Sequence, residues 1–182
     1  MTATQKEVPT VADLDRVLVL AGGLSPEHEV SVQSGRRVAE ALRRLGVEVQ
    51  VADVDSTLLD RLTEDPPQVV FPVLHGSAGE DGAIREILEL VGVPYVGARP
   101  DACRLTYSKP TAKALLADQG VITPRGATLP RSAFHDLGAP ALLSRLADRL
   151  DMPLFVKPDK GGSAFGAGPV GLAAIMTAGL YG

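Results

Sequence analysis

Three stretches hold the residue types that could do chemistry. The first, Gly22-Gly23-Leu24-Ser25-Pro26-Glu27-His28-Glu29-Val30-Ser31, sets two carboxylates and a histidine directly after an apolar run. A carboxylate in such a loop can bind or orient an amino group. The same residues also suit a solvated loop in which Ser31 and Glu29 cap the helix that follows. The second, His75-Gly76-Ser77-Ala78-Gly79-Glu80-Asp81-Gly82, places a histidine at a strand end with glycines and two acids behind it. Histidine exchanges protons near neutrality. The acids either orient it or favour the N-terminus of the next helix through its dipole. The third is Gly161-Gly162-Ser163-Ala164-Phe165-Gly166-Ala167-Gly168, a few residues beyond Lys157. Glycines let backbone N–H groups approach an anion, and a lysine adds charge, so the loop suits phosphate. It is neither a P-loop, because no Gly-Lys-Ser/Thr follows, nor a dinucleotide fingerprint. Read alone, it fits a flexible turn as well. The histidines share no ligand spacing and no cysteine cluster exists, so a metal site is not expected.

The elements around these loops read as follows. Arg16–Ala21 is a branched apolar run closed by two glycines, hence a buried strand. Val38, Leu42 and Leu45 make 32–45 an amphipathic helix ended by Gly46. Strands are predicted over 47–54, 69–74 and, briefly, Pro94–Gly97, and a helix over 83–91 closed by Gly92. Alternating strands and helices imply a mostly parallel sheet covered on both faces. Ligands sit at the C-terminal ends of such strands, so the loops 22–31 and 75–82 belong at one edge and can build one site. A second unit opens at Ser108-Lys109-Pro110, an N-cap with proline in the first turn. It continues as a helix to Gly120, an extended 121–129, a helix over 141–150, and a strand over 152–157 leading into the glycine loop. A strand, a glycine loop and about a dozen more residues do not close a domain, so this unit reads as incomplete.

Composition narrows the classes. The 182 residues are 45% hydrophobic and 22% charged, which is ordinary for a globular chain. A net charge of -4 gives no electrostatic reason to coat nucleic acid or an anionic membrane. One cysteine, Cys103, excludes an intrachain disulfide. No run is long enough to span a membrane and residues 1–10 lack the apolar segment of a signal peptide, so a cytoplasmic location is expected.

In order, GGLSPEHEVS, HGSAGEDG, PYVG, SKPTAKALLADQGV-TP and PLFVKPDKGGSAFG resemble the D-alanine–D-alanine ligases of the ATP-grasp class, from about Arg16 to Gly168. The resemblance implies an N-terminal doubly wound parallel-sheet (pre-ATP-grasp) domain over 11–107. An incomplete ATP-grasp small subdomain follows over 108–182. It implies ATP-dependent joining of two D-alanines through an acyl phosphate, for peptidoglycan precursor synthesis. Glu27 would bind the ammonium of the first D-alanine, with Ser31 beside it and His75 near the same substrate. Lys109 and Lys157 would contact the ATP phosphates, and the loop of Gly161, Gly162 and Gly166 would close over the transferring phosphate, with Ser163 touching it. Charge stabilisation and positioning dominate phosphoryl transfer. Magnesium is implied, but its acidic and asparagine ligands are expected beyond this chain, since Gly168–Gly182 contains none. The chain alone is therefore expected to be a truncated form that does not turn over. Homodimerisation through the first domain is implied too. The sequence departs from the family at Arg85-Glu86, Ser108 and Ala164. Three other readings stay open: a ligase using D-lactate or D-serine second, a non-catalytic fragment that binds nucleotide or D-alanine weakly, and an unrelated doubly wound domain.

Overall fold

The computed structural model describes residues 14–162 and 166–171. It divides into two compact units, one up to Leu105 and one from Thr106. The first unit begins with β1 (Arg16–Leu20), α1 (His28–Arg44), β2 (Glu48–Ala52), α2 (Leu58–Glu64) and β3 (Val69–Pro72). It continues with the single-turn α3 (Ser77–Glu80) and α4 (Ala83–Val91), and α5 (Pro100–Tyr107) crosses the division.

The three strands are parallel in the order β2-β1-β3, with Val17 opposite both Val49 and Val69. β1 is central and must be apolar on both sides. Val17 and Val19 face one cluster with Ala39, Val47 and Val49; Leu18 and Leu20 face the other with Leu58, Leu62, Val70, Ile84 and Leu88. Helix α1 thus covers one face and α2 with α4 the other. The strand order demands this. The chain steps outward from β1 to β2, then returns across β1 to β3, and crossovers of one hand then fall on opposite faces. The reversal places the loops after β1 and β3 at the switch point of the strand order, the usual ligand position of such sheets.

Several boundaries depart from the sequence expectation. Helix α1 starts at His28 rather than residue 32, so the last four residues of the expected loop are helical. Pro94–Gly97 forms no full strand. A single parallel bridge joins Tyr95 to Val70, with hydrogen bonds from Val70 N to Pro94 O and from Val96 N to Val70 O. Helix α4 has the expected bounds. Gly92, with φ +74°, ends it in the left-handed turn that returns its N–H to Leu88 and Glu89. Helix α2 is an addition to the elements expected from sequence; Asp55 receives the Thr57 N–H and hydroxyl just before it, and Leu58 and Leu62 fill the core one helical turn apart.

The second unit contains α6 (Lys109–Asp118), α7 (Arg131–Leu137), α8 (Ala139–Arg149), β4 (Leu154–Val156) and β5 (Gly168–Val170). Strands β4 and β5 form an antiparallel pair. The expected helix over 141–150 is α8, and the strand expected over 152–157 is reduced to β4. Among the described residues of this unit none is buried, and Ile122 is 97% exposed. Among the described residues no helix is long and apolar enough to cross a membrane.

Candidate functional site

The first site forms at the C-terminal edge of the sheet, where hydrogen bonds carry the ladder past the strand ends. Ala21 N donates to Ala52 O and Val73 N to Leu20 O. Ser31, one turn into α1 and 0% exposed, then fastens the two loops together. Its hydroxyl accepts from Gly22 N at 2.8 Å and donates to Val73 O at 2.8 Å. The capping role that the sequence allowed Ser31 is corrected here. The helix has already begun, and the hydroxyl serves the two strand ends instead.

Ser25 makes a second tie. Its hydroxyl donates to His75 O at 2.9 Å and accepts from Glu27 N at 3.2 Å. The loops 22–31 and 75–82 therefore meet, as the strand-end rule required. Glu27 lies at the start of α1, is 8% exposed, and leaves its Oε1 buried without a hydrogen-bond partner. Gly76 packs against that carboxylate. A Cβ there would fall 2.6 Å from Glu27 Oε2, and its φ of +68° suits glycine alone. A buried carboxylate oxygen without a donor is costly, and a hydrogen-bond donor or a cation reaching it would offset that cost.

His75 precedes Gly76 in the same loop. Its Nε2 is 3.4 Å from Ser34 Oγ on α1, and its Nδ1 is 3.8 Å from Glu80 Oε1 on α3. Arg85 donates through Nη1 to Gly79 O, bracing the loop from α4.

Asp53 was not singled out in the sequence. It is the first residue beyond β2, and Oδ1 accepts from Gly23 N at 2.6 Å and from Val54 N at 2.7 Å, while Oδ2 is 3.3 Å from His28 Nε2. Burial disfavours its charged form, but the Gly23 and Val54 N–H donors and His28 outweigh that and hold its carboxyl below the usual value. The parallel register, with Ala52 opposite Leu20, brings it to Gly23, and no signal in the sequence gives that register.

The phosphate candidates lie in the second unit. The Lys109 ammonium donates to Gly161 O at 2.9 Å and to Asp159 O at 3.4 Å. Ser108 donates to Asp159 Oδ1 at 3.0 Å and bridges to Lys160. Thus the start of α6 is tied to the base of the glycine loop. The Lys157 ammonium sits 5.3 Å from the centroid of the Phe155 ring. Gly161 and Gly166 have φ of +135° and +69°, and Gly162 adjoins the loop; Ser163 lies outside the described residues. Among the described residues no three His, Cys, Asp or Glu side chains gather as a metal site.

Comparison with known proteins agrees in one direction. The model of the D-ala D-ala ligase N-terminus matches residues 57–98, which span α2 to α4 and the second loop. A D-alanine–D-alanine ligase from Polaromonas naphthalenivorans is 36% identical over 93% of this chain and 51% of its own length. One from Pseudomonas fluorescens is 40% identical over 90% and 48%. The solved structure of the D-alanine–D-alanine ligase from Coxiella burnetii superposes with a TM-score of 0.72 at 27% identity, over 91% of this chain and 59% of that one. The chain spans about half the length of the curated relatives it matches.

Proposed function

We propose that the chain belongs to the D-alanine–D-alanine ligase family, over the N-terminal half of its members, and supplies the first D-alanine site and part of the ATP-phosphate site of an ATP-dependent D-alanine–D-alanine ligase. The observation that carries this reading is Glu27, a buried carboxylate with an unpaired Oε1 where the loops after β1 and β3 meet. A D-alanine ammonium there would satisfy the orphaned oxygen. A hydrogen bond to a charged group contributes about 1.5–3 kcal/mol. His75, held between Ser34 and Glu80, would lie beside the substrate and help place its carboxylate. Ser31 positions both loops, since its single proton is committed to Val73.

In the second unit Lys109, Lys157, Gly161, Gly162, Ser163 and Gly166 would receive the ATP phosphates. Lys109 would exchange its carbonyl partners for phosphate oxygens. The backbone N–H groups of the loop would add fixed donors where negative charge accumulates. The described residues do not fit a magnesium site, so no step here runs through the metal. We place the reaction in the cytoplasm, where ATP and free D-alanine are met.

Calorimetric titration of the chain with D-alanine tests this reading. Saturable binding is expected, weakened by about tenfold or more in E27Q because a charge-assisted contact is lost. L-alanine should bind more weakly than D-alanine. No saturable heat with D-alanine would refute the assignment. An assay showing sustained D-alanyl-D-alanine synthesis by the chain alone would refute the view that it holds only part of the catalytic apparatus.

A further inference from the structure

We infer that Asp53 is a positioning residue for Glu27, fastening the loop after β1 to β2 as Ser25 fastens it to the loop after β3. The inference rests on the D-alanine reading only for its consequence, because the clamp itself is geometric. Strand β1 is flanked by β2 and β3, so the loop after it can be held from two sides. On the β3 side Ser25 donates to His75 O and receives Glu27 N–H. On the β2 side Asp53 receives Gly23 N–H at 2.6 Å and stands 3.3 Å from the ring of His28, the residue that follows Glu27. The backbone of Glu27 thus lies between two anchors from opposite neighbours of one strand.

The fit at Gly22 shows how close the clamp is. A Cβ there would fall 2.3 Å from Asp53 Oδ2, so the carboxylate rests directly on the glycine backbone. Gly22 and Gly23, with φ of +109° and +81°, are turned so that the Gly23 N–H points at Asp53. A turn built from two glycines has little intrinsic preference for one conformation, so its order must come from partners, and Asp53 is the partner of Gly23.

The test uses the full chain, D-alanine as the probe, and the variants D53A, D53N and D53E. Three readouts are taken: D-alanine affinity, exchange of the Gly23 amide, and the carboxyl carbon resonance of Glu27, assigned with E27Q. In D53A the Gly23 amide is expected to lose protection, the Glu27 resonance to move, and D-alanine binding to weaken about tenfold, the scale of one hydrogen bond. D53N keeps an oxygen acceptor for Gly23 and is expected to restore all three most of the way. D53E, with the carboxylate one methylene further out, should resemble D53A, and it decides the matter should D53A fail to fold. Parent-like affinity and an unmoved Glu27 resonance in D53A, or in D53E in its place, would overturn the inference. So would equal impairment in D53A and D53N. If the parent itself binds no D-alanine, the D-alanine reading falls and Asp53 is judged on Glu27 and Gly23 alone: movement in D53A with recovery in D53N supports the clamp, and no movement overturns it.

Discussion

Replacing Ser31 by alanine removes one hydroxyl and strands two backbone groups at once. Gly22 N–H loses its acceptor and Val73 O its donor, both from bonds of 2.8 Å. Water cannot easily replace the hydroxyl, because Ser31 is 0% exposed and Gly22 is buried. A buried backbone group left unsatisfied costs about 1–3 kcal/mol. The partly buried Val73 carbonyl falls at the low end of that range, and alanine returns up to about 0.5 kcal/mol through its better helix propensity. The net expectation is a loss of about 2 kcal/mol. With a urea dependence of about 1–3 kcal/mol per molar, the unfolding midpoint should fall by roughly 1 M at an unchanged slope. Urea titration followed by far-UV circular dichroism gives the midpoint, and amide exchange at Gly22 locates the damage. A change smaller than about 0.5 kcal/mol, the range of an ordinary surface substitution, would show that Ser31 does not hold the strand ends together. So would an S31A chain whose Gly22 amide stays protected.

Further expectations concern other residues. G76A must force a Cβ against Glu27 at a φ of +68°; it should destabilise by about 1 kcal/mol or more and weaken D-alanine binding, which thermal melting and calorimetry would show. The lowered carboxyl of Asp53 contributes stability that is present above the unfolded value near pH 4 and lost as pH falls through the folded value. The stability gap between the parent and D53N should therefore shrink in acid, and a gap independent of pH from 7 to 3 would contradict it. Tyr95 is pushed up to about 12 by burial and by its hydroxyl donating to Glu89. The difference in alkaline absorbance titration between the parent and Y95F should thus appear near pH 12, and a component near 10 would refute it. In the second unit Ile122, Leu137 and Phe155 are 97%, 67% and 59% exposed. The chain should self-associate in light scattering, less so after I122S and F155S; a clean monomer at high concentration would count against this.

Periodicity and punctuation made much of the first unit legible from sequence. The run Val17–Leu20 is apolar on consecutive residues, short and closed by glycines, the pattern of a strand buried on both faces. The bounds of α4 followed from Ile84 and Leu88 one turn apart and from Gly92, where a left-handed turn favours glycine. That loops 22–31 and 75–82 share one edge followed from strand direction alone. Other elements left weaker marks. Helix α2 has two buried leucines in seven residues, too few to establish a period. Tyr95 bridges Val70 by one residue, which a sequence cannot separate from a short strand.

What sequence decided, then, is which loops meet and which residue types they bring: Glu27 and His75 at one edge, and Lys109 with a glycine loop in the second unit. Only the tertiary structure decided what each group does on arrival. Ser31 could cap a helix; its hydroxyl instead joins the ends of β1 and β3, because the helix starts early enough to carry it inside. Asp53 resembled any acid after a strand until the register set it against Gly23. Glu27 was one of two nearby carboxylates, and burial without a donor distinguishes it from the exposed Glu29. Period and residue type are local properties written along the chain, whereas burial and hydrogen-bond partnership depend on which distant backbone groups close around a side chain, and those exist only once the sheet has formed.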